Sequence, residues 1–567
     1  MNIFEHYKDI FIESINIKNI DKKIKNKIAV EIPKQKIFGD ISFNAPLILG
    51  SFLKKSPLVL AEEFKKNIIS NNNDFEKIEV VKPGFINFTF KKSILLKFLS
   101  KIQNNFGKSN NIIKKKINIE FVSANPTGPL HIGHCRGAIF GDILSNFLKY
   151  YGHSVTKEYY INDYGNQINI FLKSIYFRAI EILKKNKFPD DQGLYPGEYI
   201  IDIANEILRK IDVGKYNSFK DVKSTLAPVA IKLSMAIIKN DLKIMGIKHD
   251  IFISESDIVK ENILSKSIEK LKQEGAITKG VLPKPKGDTE DWEPREQLLF
   301  KSTNYGDDVD RALQKSDNTW TYFANDIAYH YYKLKRGYDY YINILGADHS
   351  GYIKRLSSAV KALNKNVNFE IKISQIVKLY KSGKPYRMSK RAGDFILATD
   401  LIDAVGKDAV RFMMVYRSSQ SPLDFDFDVV NDKSKENPIF YVQYACARLN
   451  SLFQKSKFNI DKEIKDAKLQ LLNSSQEINL IKKILQWPKI VNLCNSNFEV
   501  HYIPFYLYEL SSEFHSFWNL GKENDDFKII EHSNENLSKS RLFLLQKLYI
   551  VLKTGLNILS VDIPKKM

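Results

Sequence analysis

His131 and His134, separated only by Ile132-Gly133, are the side chains in this 567-residue sequence whose type and spacing most directly suggest chemistry. As zinc ligands they lack a third partner at a familiar spacing, and there is no His-Glu-x-x-His helix. As core histidines they would sit oddly in a loop that contains Pro126, Gly128 and Pro129. Imidazole N–H groups donating to a phosphate that gains charge in a transition state fit the pattern. A second group of candidates suits a cationic substrate. A carboxylate with a neighbouring amide or hydroxyl can hold a cation in a fork geometry. Glu120 with Asn125 is one candidate pair, and Tyr322 with Asp326, four apart on one helix face, is another. By residue type alone, Glu120 reads equally as an edge-strand charge and Asp326 as a surface helix acid.

These side chains need elements to hold them. Ile117, Ile119 and Phe121 predict a buried strand, 123–130 a turn-rich loop, and Ile139, Ile143, Phe147 and Tyr151 one face of a following helix. Gly133, Gly137 and Gly141 leave backbone accessible along that helix. Strand, loop and helix in this order place the loop at the carboxyl edge of a parallel sheet, with helix N–H groups facing phosphate. The polar link 104–111 and the stretch 431–434 suggest boundaries, giving domains at 1–107, 108–433 and 434–567. The first is α+β, with a helix from Pro57 and strands at 78–81 and 85–90 around Pro83-Gly84. The last is helical, with Leu507, Leu510, Phe514 and Phe517 at bundle spacing. The Pro-rich 282–287 reads as a surface insertion. No repeat of solenoid period is visible. The fold class expected is α/β multidomain: a Rossmann-type parallel-sheet catalytic domain, an α+β N-terminal domain and an all-α C-terminal helical bundle.

Composition excludes other classes. Apolar residues are 44% and charged residues 27%, as in globular chains. No uninterrupted apolar run nears the roughly 18 residues that span a bilayer, and the start MNIFEHYKD lacks a signal-peptide core. Cys135, Cys446 and Cys494 are too scattered for a disulfide framework or a Cys-x-x-Cys site, and fit a reducing compartment. Net charge is 86 − 65 = +21, distributed as +7 over 1–107, +10 over 108–433 and +4 over 434–567. That suits a polyanionic partner, and equally a compositional drift towards Lys, Asn and Ile. Asp424, Asp426 and Asp428 alternate as on one face of a solvent-facing strand.

The stretch 120–142, EFVSANPTGPLHIGHCRGAIFGD, resembles the first signature of class I aminoacyl-tRNA synthetases, and its longer context resembles the arginyl-tRNA synthetase branch. The second signature, a Lys-Met-Ser-Lys-Ser loop, is matched by 387–391, RMSKR, which departs at its first and last positions. Arg387 keeps a cation there without a lysine's point charge. The stretches 81–88, 160–167, 195–199 (YPGEY), 320–330 (WTYFANDIAYH) and 441–448 are also similar to this family, so the resemblance covers essentially the whole chain. It implies a ligase that attaches L-arginine to its tRNA through arginyl-adenylate, using ATP with substrate-borne Mg²⁺ and no protein-bound metal. His131, His134 and Lys390 are then catalytic. Thr127, Gly128, Pro129, Leu130, Ile132, Gly133, Arg387, Met388 and Ser389 bind ATP. Glu120, Ser123, Asn125, Tyr322, Asp326 and His349 hold arginine. Tyr441, Gln443, Tyr444, Trp518 and Met567 touch tRNA. A cytoplasmic monomer with no membrane partner is expected. The alternatives are another nucleotidylyltransferase, which can share the His-x-Gly-His chemistry, and a catalytically silent RNA-binding protein of this type. Length, the second lysine loop and the helical tail speak against the former, and intact His131, His134 and Lys390 against the latter.

Overall fold

The computed structural model describes residues 2–15, 17, 20–108, 112–185, 187–190, 193–284, 294–315, 317–386, 396–459, 463–531 and 533–567. The chain divides into two compact units, Ile113–Asn431 and the pair of segments Met1–Ile112 with Asp432–Met567.

In the unit Ile113–Asn431, five parallel strands lie in the order Phe369–Ser374, Tyr340–Gly346, Lys116–Glu120, Ser154–Ile161, Ile251–Ser254. The strand that comes first in the chain is central. From it the chain winds outward to one side, then returns to the other, so the order reverses beside Lys116–Glu120 and a crevice opens at the strand ends. Ile117, Asn118, Ile119 and Glu120 are all buried, which a strand covered on both faces requires. Glu120 is therefore no edge charge; it lies in register with Asn343 and Glu158 of the flanking strands.

Helix Ile132–Tyr151 returns over the sheet with Ile139, Ile143, Phe147 and Tyr151 buried, the face that periodicity predicted. A Cβ at Gly141 would fall 2.3 Å from the Phe121 ring, so glycine lets this helix ride directly over the strand end. Helices Asn166–Lys184, Glu198–Leu208 and Phe219–Ile244 share a core of their own between the second and third strands. A small antiparallel sheet, Ile277–Val281, Glu296–Phe300 and Arg311–Ala312, lies between the third and fourth. Of the Pro-rich stretch, 285–287 fall outside the described residues. The alternation of Asp424, Asp426 and Asp428 does not continue as one strand face. Strand Leu423–Asp426 ends before Asp428, which sits on helix Phe427–Asn431 with its N–H donating to Asp426 Oδ1 at 2.9 Å.

The other unit joins the two ends of the chain. Its antiparallel sheet, in the order Val30–Glu31, Ile41–Phe43, Phe85–Phe90, Phe75–Val81, encloses stacked Phe11 and Phe88 at 4.4 Å. Pro57 opens helix Pro57–Asn71, as expected. The C-terminal segment is helical, with Leu507, Leu510, Phe514 and Phe517 buried along Tyr502–Glu523. The two segments are tied by Trp487 Nε1 donating to Phe106 O (3.1 Å), Lys489 Nζ donating to Val30 O (3.1 Å) and the Lys482–Asp40 ion pair (2.7 Å). Helix Glu535–Leu559 is long and apolar enough to cross a membrane by length and composition, but 61% of its most apolar window is buried inside the protein. Lys539, Arg541, Lys547 and Lys553 interrupt it, which is why the sequence shows no unbroken run.

Candidate active site

The two histidines build the start of their own helix. Gly133 N–H donates to His131 Nδ1 at 3.1 Å, and His131 N–H donates to His134 Nδ1 at 3.3 Å. Each ring thereby satisfies a backbone donor that a helix start leaves unpaired. With Nδ1 occupied as an acceptor, each neutral ring carries its proton on Nε2. The ring centroids lie 3.8 Å apart with the planes tilted by 34°. Burial, reinforced by the neighbouring His131, pushes His134 down to about 4, and burial also lowers His131. The pair is thus neutral at pH 7: two N–H donors, with no like-charge repulsion between adjacent rings.

The loop before them is held rigidly. Val122 and Ser123 have φ of 70° and 41°, strained for residues with a Cβ. This turn brings Ser123 Oγ to donate to Glu120 Oε1 (3.1 Å) and accept from Tyr160 N–H (3.1 Å). Leu130 N–H donates to Asp241 Oδ2 at 2.8 Å; burial raises this carboxyl to about 6. Ile132 N–H donates to Ile396 O, and Ala398 N–H to Leu130 O, both at 2.9 Å. The chain leaving the second signature is therefore stitched to the first. Lys390, Arg387, Met388 and Ser389 themselves lie outside the described residues.

A cavity of about 540 Å³ is lined by Asn125, Thr127, Gly128, Pro129, His131, His134, Gln167 and the 195–199 stretch at Tyr195, Pro196, Gly197 and Tyr199. That volume lies within the range of small-molecule sites. Thr127, Gly128 and Pro129 thus share one cavity with both histidines, while Leu130 is buried behind it. Ile132 and Gly133 belong to the helix start.

The acidic side chains gather nearby. Glu120 Oε2 meets Lys333 Nζ at 2.7 Å and the Tyr329 hydroxyl at 3.0 Å. Glu158 on the next strand meets the same hydroxyl (2.6 Å) and Arg336 (2.7 Å). Two buried carboxylates are thus matched by two cations at the end of helix Tyr322–Leu334 and just beyond it. Asp326, one turn after the exposed Tyr322, accepts from the Tyr352 hydroxyl; burial and Glu120 raise it to about 6. Glu120 and Asp326 are therefore brought together, whereas Asn125 bonds Gln167 instead of joining Glu120. His349 is exposed in the turn after strand Tyr340–Gly346, paired with Asp348 at 3.3 Å. Glu255 was not anticipated. It is buried where strand Ile251–Ser254 ends, bonds only Asn325 Nδ2 (3.2 Å) among the described residues, and is raised to about 7 by burial and by Asp326. Its position at a carboxyl strand end was the available signal. Tyr160 lies within the field of Glu255, Asp326, Glu120 and Asp163 together. Carboxyls held up by one another form a place that a cation relieves.

In the helical segment Tyr441, Tyr444 and Trp518 are half-buried around Arg448. Arg448 donates to His515 Nδ1 (2.9 Å) and to the Tyr444 hydroxyl (2.8 Å). Gln443 donates to Asp562 O at 3.0 Å, and Met567 is exposed.

A parallel sheet reversing order at the strand that leads into a histidine-capped helix is the arrangement of a catalytic domain of the class I aminoacyl-tRNA synthetase type. The chain matches the family descriptions "Arginyl tRNA synthetase N terminal domain" over residues 5–90, "tRNA synthetases class I (R), catalytic domain" over 97–424 and "DALR anticodon binding domain" over 442–567. It is 48% identical to an arginine–tRNA ligase of Pelagibacter ubique, covering 100% of both chains, and 44% identical to one of Ehrlichia ruminantium, covering 97% of both. The arginyl-tRNA synthetase structure of Thermus thermophilus has the same fold, with a TM-score of 0.77 over 100% of both chains at 18% identity. The chain belongs to the arginyl-tRNA synthetase family.

Proposed function

We propose that this protein attaches L-arginine to its tRNA: the arginine carboxylate attacks the α-phosphorus of ATP in line, pyrophosphate leaves, and the arginyl group passes from adenylate to the 2′-hydroxyl of the terminal ribose. The observation that carries the mechanism is the neutral His131–His134 pair at a helix start, lining a cavity of nucleotide size. Their Nε2–H groups donate to phosphate oxygens as charge builds, and Lys390 adds a cation from the second loop. Thr127, Gly128, Pro129, Leu130, Ile132 and Gly133, with Arg387, Met388 and Ser389, hold ATP, whose Mg²⁺ arrives with it.

Glu120, Ser123, Asn125, Tyr322, Asp326 and His349 form the arginine pocket in this reading. Lysine has no second donor for a carboxylate fork and would leave buried acceptors unpaired, so it is rejected. Tyr441, Gln443, Tyr444, Trp518 and Met567 contact tRNA. Three domains, 1–107, 108–433 and 434–567, are supported by the separate matched spans, and the enzyme works as a monomer in the cytoplasm without a membrane. ATP–pyrophosphate exchange with arginine, with and without tRNA, tests the reading. Arginine-dependent exchange that needs tRNA is expected; no arginine dependence would overturn it.

A further inference from the structure

A second cavity, about 600 Å³, opens in the unit formed by the two chain ends, between residues 32–40 and the C-terminal helices. Its two helical walls differ in kind. One carries Asn479 and Gln486, seven residues apart and so two turns along one face. Both are half-buried, and neither side chain has a hydrogen-bond partner among the described residues. The facing wall, from helix Tyr502–Glu523, carries Tyr502 and Phe505, with Phe505 51% exposed. The Tyr506 hydroxyl is already committed, donating to Lys483 O at 2.8 Å. Of the charges that line the cavity, Lys482 pairs with Asp40 at 2.7 Å and Lys483 with Glu509 at 2.5 Å, and Glu513 adds one more carboxylate. At the rim, exposed Lys34 has no acidic partner among the described residues.

We propose that this cavity receives one unpaired nucleobase of the bound tRNA, stacked on Phe505 and read along its edge by Asn479 and Gln486. An amide offers a donor and an acceptor together, the combination every Watson–Crick base edge requires, and unstacked bases settle on aromatic faces. A free nucleotide would need cations for its phosphates, and the two interior lysines are already paired. A single uncompensated lysine at the rim suits the one phosphate that a base brings on a polymer. A base inside a helical stem cannot enter, so the nucleotide is a looped one. The proposal rests on tRNA being the substrate and adds a contact next to the Tyr441–Trp518 cluster, since Tyr508 lines the cavity and its ring lies 5.7 Å from that of Tyr441.

The test uses the full-length chain carrying Phe505→Ala, and separately Asn479→Ala with Gln486→Ala. Steady-state aminoacylation should show KM for tRNA raised about tenfold in each, with KM for arginine and ATP in tRNA-dependent exchange unchanged. Phe505 is exposed, so its replacement leaves the fold intact, which the melting curve checks. Replacing Phe505 by p-benzoylphenylalanine and irradiating the tRNA complex should yield a crosslink to one nucleotide of a tRNA loop. Unchanged KM for tRNA in both variants, or crosslinks confined to protein or to stem nucleotides, would overturn the proposal. Failure of the wild-type chain to charge tRNA with arginine would instead overturn the function itself.

Discussion

In each imidazole of the His131–His134 pair, the nitrogen that caps the helix dictates which nitrogen carries the proton. Under the proposed mechanism, removing a ring removes a phosphate donor and a cap at once. His134→Ala should lower kcat of arginine-dependent exchange by about 10²–10³, the range for loss of one transition-state donor, while tRNA affinity stays near normal. A filter-binding Kd that rose as kcat fell would show a broader lesion. Lys390→Ala belongs to the same comparison. Glu255 makes the sharper case, because its environment is visible. Raised to about 7, it is substantially protonated below neutral pH and then offers a cation nothing. Its pKa must fall when arginine binds, so KM for arginine should rise as pH drops from 8 to 6, approaching tenfold per unit below 7. Glu255→Gln should raise KM at pH 8 and flatten that slope. A variant whose profile overlays the wild type would place Glu255 outside the pocket.

At the scale of elements, the helix Tyr322–Leu334 supplies both the acid Asp326 near its start and the cation Lys333 near its end. Lys333 neutralises buried Glu120 and also donates to Asn343 Oδ1 at 2.8 Å. Lys333→Met should cost about 3–5 kcal/mol in denaturant unfolding, since it leaves Glu120 uncompensated in the sheet. Adding Glu120→Gln should recover much of that stability without restoring arginine affinity; a fully additive double variant would mean the two do not interact. These partners mark where sequence reading stopped. The strand, loop and helix around His131 were legible because their signals are local: alternation of Ile117 and Ile119, the Pro/Gly loop, the 3.6-residue repeat from Ile139 to Tyr151. Lys333, Arg336 and Glu255 were not, because each acts on a carboxyl or amide 70 or more residues away in the chain, and a charged residue in a sequence looks the same buried or exposed. The strained φ at Val122 and Ser123 left no trace either, since neither residue type advertises a left-handed backbone. Asn125 was placed with Glu120 by sequence proximity, and the structure turns it towards Gln167 instead.

For the whole molecule, the +21 charge says less about behaviour in acid than a few buried groups do. In the unit Ile113–Asn431, burial holds His134, His249 and His330 near 4, below their ordinary 6.5. As pH falls from 6.5 towards 4, the unfolded chain protonates these histidines and the native one does not, so each draws stability away. Asp241, Asp326 and Glu255 do the reverse, because their native pKa values of about 6, 6 and 7 lie above those of the unfolded chain. The native state binds those protons first, which returns stability over the same window. With His131, which burial also lowers, four histidines stand against three carboxyls and the two kinds offset one another in large part, where three histidines alone would give a slope of about 4 kcal/mol per pH unit. The unit should therefore lose far less stability between about pH 6 and 4.5 than its buried histidines alone would impose. His249 provides the handle that exposes this balance. Its ring packs on Phe121 at 4.3 Å, and both of its nitrogens are buried without a hydrogen-bond partner among the described residues. His249→Phe keeps the aromatic contact, removes two orphaned polar atoms and takes one histidine out of the cancellation. Its Tm should exceed that of the wild type already at pH 7, and the margin should widen as pH falls to 5, because only the wild-type unfolded chain gains that proton. Differential scanning calorimetry at pH 7, 6 and 5 measures the margin directly; one that stayed constant or shrank would mean His249 is protonated in the folded protein.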